Sequence, residues 1–208
     1  MKYISIGMCC NVKYQIDNHK HKDETLFFDW LMISMNSVVE ILSTPDINNI
    51  LYFDNITRDV NIPYHNKNSS IVIKSLDYCV SIHDLLRDYT DSDVFEYIDK
   101  YKRRYDRIME YIKSDEKICF IRDDSSNSNS VVDNNNIRQK FVETILKINP
   151  NCKFTLVIID NKNENDSEIL KYDHCLHIKL NINPPKYPGW TTTFLNWEKI
   201  FSDIENNI

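Results

Sequence analysis

Two neighbouring cysteines, Cys9 and Cys10, follow a glycine close to the start of the chain. The residues before that glycine, Lys2–Ile6, alternate apolar with polar side chains and predict a buried strand, while Val12 and Ile16 have helical spacing. The cysteines therefore fall at the start of a predicted helix, where free N–H groups and the helix dipole stabilise a thiolate. This position suits a nucleophile, and it also suits an unreactive buried cysteine.

The glycine in this segment, Gly7, is one of only two in 208 residues. A chain that uses glycine so rarely and places one between a strand and a helix needs it there for backbone reasons. We expect a positive φ at Gly7, or an approach of another segment too close for a side chain.

A second group of candidate residues, His83 and Asp84, follows the predicted strand Tyr78–Ile82. That strand and Ser70–Lys74 are separated by three residues and are expected to form a hairpin. A histidine at the end of a strand is well placed to act as a general base, although a structural role is also open. Asp84 is either a cap for a following helical turn or part of the same site.

Further polar residues close two strands in the second half of the chain. Arg122 and Asp123 follow the predicted strand 117–121, and Asp160 follows the strand 153–159. Because the sites of open α/β sheets lie beyond the carboxyl ends of the strands, we expect these residues to meet Cys10 and His83 at one rim.

An aromatic segment, Leu26–Leu31, is expected to pack beside the turn that carries the cysteines. It contains Asp29 and Trp30. The Asp29 carboxylate either caps a helix or points towards Cys10, and the sequence leaves both readings open.

Strands and helices alternate at both ends of the chain, which predicts an α/β fold. The apolar strand 153–159 is typical of a parallel sheet that is covered on both faces. We expect a single α/β domain over 1–208, with three layers, a mainly parallel central sheet, helices on both faces and a hairpin elaboration. The predicted helices cover 36–43, about six turns from Thr90, 136–148 and 193–204.

Composition excludes several classes of function. The formal net charge of −6 argues against a general nucleic-acid binder or a protein that binds acidic membranes. The six cysteines show no C-x-x-C spacing, so we expect reduced thiols, no metal site and no cofactor. The sequence has no bilayer-length apolar run and no signal-peptide pattern, which predicts a cytoplasmic protein. The oligomeric state stays open.

Four short motifs resemble, in order, the landmarks of an uncharacterised domain family that is catalogued, by inference, as papain-like cysteine peptidases. In that family a strand precedes Gly-Ser-x-Cys, and Pro-Phe-Asp-Trp, Phe-x-His-Asp and an Ile-Arg strand end follow. The matching segments here are Ile6-Gly7-Met8-Cys9-Cys10, Phe28-Asp29-Trp30-Leu31, His83-Asp84 and Phe120-Ile121-Arg122. Met8 replaces the usual serine and Phe27 the usual proline.

The resemblance implies a thiol hydrolase in which Cys10 is the nucleophile and His83 the base. Asp84 is a candidate catalytic residue, although in extended chain it points away from the His83 face, so Asp123 or Asp160 is an alternative group to orient the imidazole. Residues expected near the substrate are Cys9, Asn11, Asp29, Trp30 and Arg122.

The alternation of strands and helices differs from the papain layout, and two other classes stay open. One is an esterase-like hydrolase of acylated glycans, in which Arg122 and His83 grip an anionic or sugar substrate. The other is a non-catalytic binding module. The expected partner is a peptide or an acylated small molecule.

Overall fold

The computed structural model describes residues 1–8, 10–20, 24–59, 68–86, 89–125, 135–161, 168–181 and 195–208, with the backbone alone for 58–59, 68–70, 82–83, 85–86 and 135. The strands in these residues are β1 (Lys2–Ser5), β2 (Leu31–Ile33), β3 (Ile56–Asp59), β4 (Asn68–Ile73), β5 (Cys79–Leu86), β6 (Ile118–Asp123), β7 (Phe154–Asn161), β8 (Glu168–Tyr172) and β9 (Cys175–Leu180). The α-helices are α1 (Asn11–His19), α2 (Met35–Ser43), α3 (Asp91–Lys113), α4 (Asn135–Ile148) and α5 (Trp197–Asn207), and 3₁₀ turns lie at Ile47–Asn49 and Phe53–Asn55.

The described residues form two sheets, and the first, called the main sheet here, has the strand order β1-β6-β7-β9-β8. The pairs β1/β6, β6/β7 and β7/β9 are parallel, and only the edge strand β8 pairs antiparallel with β9. The predicted α/β class with a mainly parallel sheet is therefore confirmed.

The second sheet has the order β2-β5-β4-β3, and all of its strand pairs are antiparallel. The two strands expected to form a hairpin are β4 and β5, and they are neighbours in this sheet. The strands β2 and β3 at its two edges were not predicted. The antiparallel sheet is thus larger than the expected elaboration.

Two hydrophobic clusters divide the side chains of the main sheet between them. In β6, Phe120 belongs to the first cluster and its neighbours Cys119 and Ile121 to the second. The first cluster also takes residues of α2, α3, α4 and the antiparallel sheet, and the second takes residues of α1 and α5. This division follows from the two-residue period of a strand and buries the main sheet on both faces.

The longest helix, α3, begins where the sequence provides a start signal. The Thr90 hydroxyl accepts the N–H of Asp93, and the Asp93 carboxylate accepts the N–H of Thr90, forming a capping box. The helix then buries an apolar stripe against the first cluster. Among the helices of the described residues, none is long and apolar enough to cross a membrane.

Candidate functional site

The turn between β1 and α1 has an unusual backbone. Gly7 and Met8 have φ values of +81° and +75°, so two successive residues are left-handed. A Cβ atom on Gly7 would lie 2.1 Å from Cγ2 of Ile33, the last residue of β2. Both reasons expected for a glycine at this position are therefore present together.

The Cys10 side chain lies at the N-cap of α1 and is 4% exposed. It belongs to neither hydrophobic cluster. Burial raises the pKa of its thiol to about 11, against the lowering effect of a backbone hydrogen bond, and the negative charge of Asp84 raises the pKa further. The expected stabilisation of a thiolate is wrong, because burial outweighs the helix start. Cys10 is a neutral thiol at neutral pH.

His83 lies inside β5 and not at the end of a strand, which corrects the prediction. Residue pairing in the antiparallel sheet shifts here, since Ser69 faces Leu85 while Ile71 faces Ser81. One residue of β4 is thus opposite the three residues 82–84 of β5, so His83 and Asp84 lie in a β-bulge. Bulges redirect side chains and are common beside active sites. The His83 side chain, like the whole of Cys9, is outside the described residues.

The Asp84 carboxylate is held by three donors from two elements. Lys100 Nζ and Tyr101 OH of α3 lie 2.5 Å and 2.6 Å from its oxygens, and the Ser81 hydroxyl also donates. Burial opposes ionisation, but these hydrogen bonds outweigh it and lower the pKa of Asp84. The alternative of a helix cap is wrong, because β5 continues to Leu86.

Asp84 also borders a surface pocket of about 440 Å³. The described residues around it are mostly charged, and α3 supplies all of them except Asp84. The pocket therefore gives solvent an approach to the Asp84 carboxylate beside α3.

Asp123, at the end of β6, is buried and contacts the start of α1. Its carboxylate accepts the N–H and the hydroxyl of Ser125 at 3.0 Å and 2.5 Å, and the Asn11 side-chain amide lies 3.5 Å away. Burial raises the pKa of Asp123 despite these contacts. Asn11 also accepts a hydrogen bond from Gln15. The structure thus brings together two predicted site residues, Asn11 and Asp123.

Arg122 is 1% exposed and donates to the protein itself. Its Nη1 lies 3.1 Å from the carbonyl oxygens of both Ile6 and Ile33, and its Nε lies 2.9 Å from the Asp124 carboxylate. The predicted contact between Arg122 and a substrate is therefore wrong, because the guanidinium is buried between the two sheets.

The aromatic segment before β2 packs beside α1, and the reading of Asp29 as a helix cap is wrong. The Asp29 carboxylate is 1% exposed, accepts the N–H of Leu26 at 2.8 Å and lies 3.7 Å from Lys13 Nζ. A strand follows it, so it caps no helix, and its burial also excludes the predicted contact with substrate. Trp30 is half-buried with a φ of +66°.

Sequence reasoning missed a buried polar group on the main sheet. His177 Nε2 in β9 lies 3.7 Å from Asp160 Oδ2 in β7, and the charges of both affect the pKa of Asp124. The signal was a histidine in the middle of the apolar strand Cys175–Leu180. Asp160 thus lies beside His177 in the main sheet, whereas His83 belongs to the antiparallel sheet.

The carboxyl ends of β1, β6 and β7 meet at one rim of the main sheet, as expected. Asp84, whose charge acts on the Cys10 thiol, belongs to the other sheet, which the strand-end argument did not foresee. Within the described part of the chain, no group of three or more His, Cys, Asp or Glu residues is arranged to hold a metal ion.

A family model with the description "Putative papain-like cysteine peptidase (DUF1796)" matches residues 1–164, which include Cys10, His83 and the end of β6. The chain belongs to this family. The DUF1796 match covers both sheets except β8 and β9. The chain is also similar to the mimivirus protein named "Uncharacterized protein R408" from Acanthamoeba polyphaga mimivirus, with 24% identity over 95% of this chain and 96% of that protein. No solved structure matches the chain.

Proposed function

We propose that this DUF1796 protein is a thiol hydrolase with Cys10 as the nucleophile and His83 as its base. The observation that carries the proposal is the effect of the Asp84 charge on the pKa of Cys10. It means that the β-bulge containing His83 and Asp84 lies close to the turn that ends at Cys10, although 73 residues separate Cys10 from His83.

The neutral state of Cys10 decides the order of events. With a thiol pKa of about 11, a preformed pair of thiolate and imidazolium is not the resting form. His83 instead takes the thiol proton as the sulfur attacks the acyl carbon, and a C–S bond forms. The tetrahedral intermediate then expels the leaving group, which receives that proton from His83. Water hydrolyses the thioester and restores the thiol.

Two further groups have roles in this scheme. Backbone N–H groups at the start of α1 are available to bind the oxyanion, a contribution of about 3 kcal/mol or more in enzymes of this type. Asp84 stays ionised because of its hydrogen bonds, and its charge favours the imidazolium that forms during the reaction. For the fold that carries these groups we propose three layers, and the two hydrophobic clusters on opposite faces of the main sheet support this arrangement.

A second candidate is an esterase-like hydrolase that removes acyl groups from glycans. The observation that favours it is the strained turn after β1, a parallel strand, with the candidate nucleophile at the start of the next helix. Esterases of α/β folds place a serine nucleophile in a similar strand–turn–helix setting. The bond that is cut, amide or ester, separates the two candidates.

The test is release of nitrophenol from p-nitrophenyl acetate, followed by peptides and acetylated sugars as substrates. We expect a burst of about one nitrophenolate per chain that is absent in Cys10→Ala and strongly reduced in His83→Gln. Cys152→Ala is the matched control. Cys152 is also buried, but it lies just before the amino end of β7 and not at the carboxyl ends of the strands. A burst that survives in Cys10→Ala contradicts the proposal.

A further inference from the structure

The backbone of the turn before Cys10 is held from two sides. On one side, Ile33 of β2 fills the space where a Gly7 side chain would lie. On the other side, Arg122 Nη1 donates to the carbonyl of Ile6 at 3.1 Å, and its Nη2 lies 3.5 Å from the Met8 sulfur. Left-handed non-glycine residues persist only where their surroundings hold them, and Met8 is such a residue.

The same guanidinium ties this turn to the antiparallel sheet. Arg122 Nη1 also donates to the carbonyl of Ile33, so one nitrogen joins the end of β1 to the end of β2. Only the planar fork of arginine reaches two carbonyls, a sulfur and a carboxylate from one buried position.

Arg122 is itself fixed by buried groups at the rim of the main sheet. Its Nε pairs with the Asp124 carboxylate, and Asp160 and His177 act electrostatically on that carboxylate. All four side chains are at most 5% exposed. His177 Nε2 is buried without a hydrogen-bond partner among the described residues, although Asp160 Oδ2 is 3.7 Å away.

We propose that Arg122 is a positioning residue for Cys10: it fixes the turn between β1 and α1, and Asp124 holds its guanidinium in place. The inference deepens the proposed function, because a nucleophile needs a fixed position relative to its base. It also has a consequence that needs no substrate. If the turn loosens, Cys10 loses the burial that raises the pKa of its thiol.

The test is the rate of alkylation of each cysteine by iodoacetamide, measured by mass spectrometry across pH in Arg122→Ala and Arg122→Lys. In Arg122→Ala the pKa of Cys10 moves from about 11 towards its ordinary value of 9.0. Because the thiolate is the reacting form, alkylation of Cys10 at pH 8 rises about tenfold to a hundredfold. Arg122→Lys keeps the charge without the fork and gives a smaller rise in the same direction.

Two controls separate positioning from general loosening. Cys79 and Cys119 are fully buried, so their alkylation reports opening of the whole fold. Added guanidinium ion at millimolar concentration, far below the denaturing range, restores slow alkylation of Cys10 in Arg122→Ala. Arg107→Ala, which removes a hydrogen bond to Thr25 away from the turn, leaves Cys10 unchanged.

Equal acceleration of Cys10, Cys79 and Cys119, or an unchanged Cys10 in folded Arg122 variants, overturns the inference. If Arg122→Ala does not fold, Arg122→Lys and Asp124→Asn decide by the same criterion. Alkylation requires no turnover, so a selective response of Cys10 in a protein without hydrolase activity rejects the proposed function and retains this inference.

Discussion

The main sheet and the antiparallel sheet treat their charged residues differently where the two sheets meet. At the rim of the main sheet, Arg122 and Asp124 are each 1% exposed and face each other. In the antiparallel sheet, Asp84 is 11% exposed, keeps its charge through three hydrogen bonds and borders a pocket. The comparison indicates that Arg122 of the main sheet holds the turn before Cys10, whereas Asp84 of the antiparallel sheet supplies a charge that acts on the Cys10 thiol and is itself open to solvent.

The largest expected effect tests whether the two sheets divide the chemistry in this way. Cys10→Ala removes the proposed nucleophile at the start of α1 and should abolish hydrolysis, while His83→Gln removes only the proposed base in the antiparallel sheet. The loss expected for His83→Gln is about 10²-fold to 10⁴-fold, typical of general base catalysis. Initial rates with p-nitrophenyl acetate measure both. Equal losses would mean that the two residues act as one inseparable unit.

The pH dependence of Cys10 tests how strongly burial at the main sheet controls the sulfur. With a thiol pKa of about 11, the thiolate fraction rises about tenfold for each pH unit below that value. We therefore expect alkylation by iodoacetamide to rise about a hundredfold from pH 7 to pH 9 without a plateau. A plateau near pH 7 would instead indicate a pair of thiolate and imidazolium. In that case a residue of the antiparallel sheet, His83, would set the ionisation of Cys10.

Gly7→Ala tests the close approach of the two sheets. A side chain at φ +81° costs about 1–2 kcal/mol, and the clash with Ile33 adds about 1–3 kcal/mol. We expect the free energy of unfolding, measured with urea, to fall by about 3 kcal/mol.

Ile33→Leu removes the Cγ2 atom that a Gly7→Ala side chain would meet and provides the control for this substitution. The double variant should therefore lose less stability than the sum of the two single variants. Strict additivity would show that the backbone conformation, and not the contact between sheets, requires glycine.

Asp84→Asn tests the charge supplied by the antiparallel sheet. It leaves Lys100 without its carboxylate, which should cost about 1–3 kcal/mol of stability at pH 7. Since the Asp84 charge raises the pKa of Cys10, the alkylation profile of Cys10 should move to lower pH. Asp99→Asn changes the charge of the same pocket and should leave the profile in place. An unmoved profile in Asp84→Asn would contradict an effect of the Asp84 charge on the pKa of the Cys10 thiol.

The last test concerns Asp29, in the connection from α1 to β2. Burial raises its pKa to about 7, against the opposing charge of Lys13. A carboxyl with a raised pKa binds its proton more tightly in the folded protein, so the free energy of unfolding should fall as pH rises from 3.8 towards 7. Asp29→Asn should flatten this slope in urea titrations. An unchanged slope assigns the pH dependence to other groups.

The sequence predicted the elements with a long, regular pattern. The strands β6 and β7 and the helices α3 and α4 were found within a few residues of their bounds. The strands β2, β3 and β8 were missed because they have three to five residues each and no alternation of apolar and polar side chains. Short edge strands of this kind are determined by the neighbours they pair with.

The site was predictable only where it depends on adjacent residues. The turn at Gly7 and the place of Cys10 follow from a strand, a glycine and a helix in sequence. The bulge at His83 depends on the pairing of β4 with β5, which no local pattern reveals. Arg122 was misjudged because the sequence does not tell whether a strand-end guanidinium faces solvent or, as here, buried carbonyl groups.

The protonated state of Cys10 also has a consequence for chemical durability. Peroxide attacks thiolates and hardly touches thiols, and a sulfur with a pKa of about 11 is ionised in only about one molecule in ten thousand at pH 7. In the resting protein, Cys10 therefore resists conversion to sulfenic acid and stays available under oxidative stress.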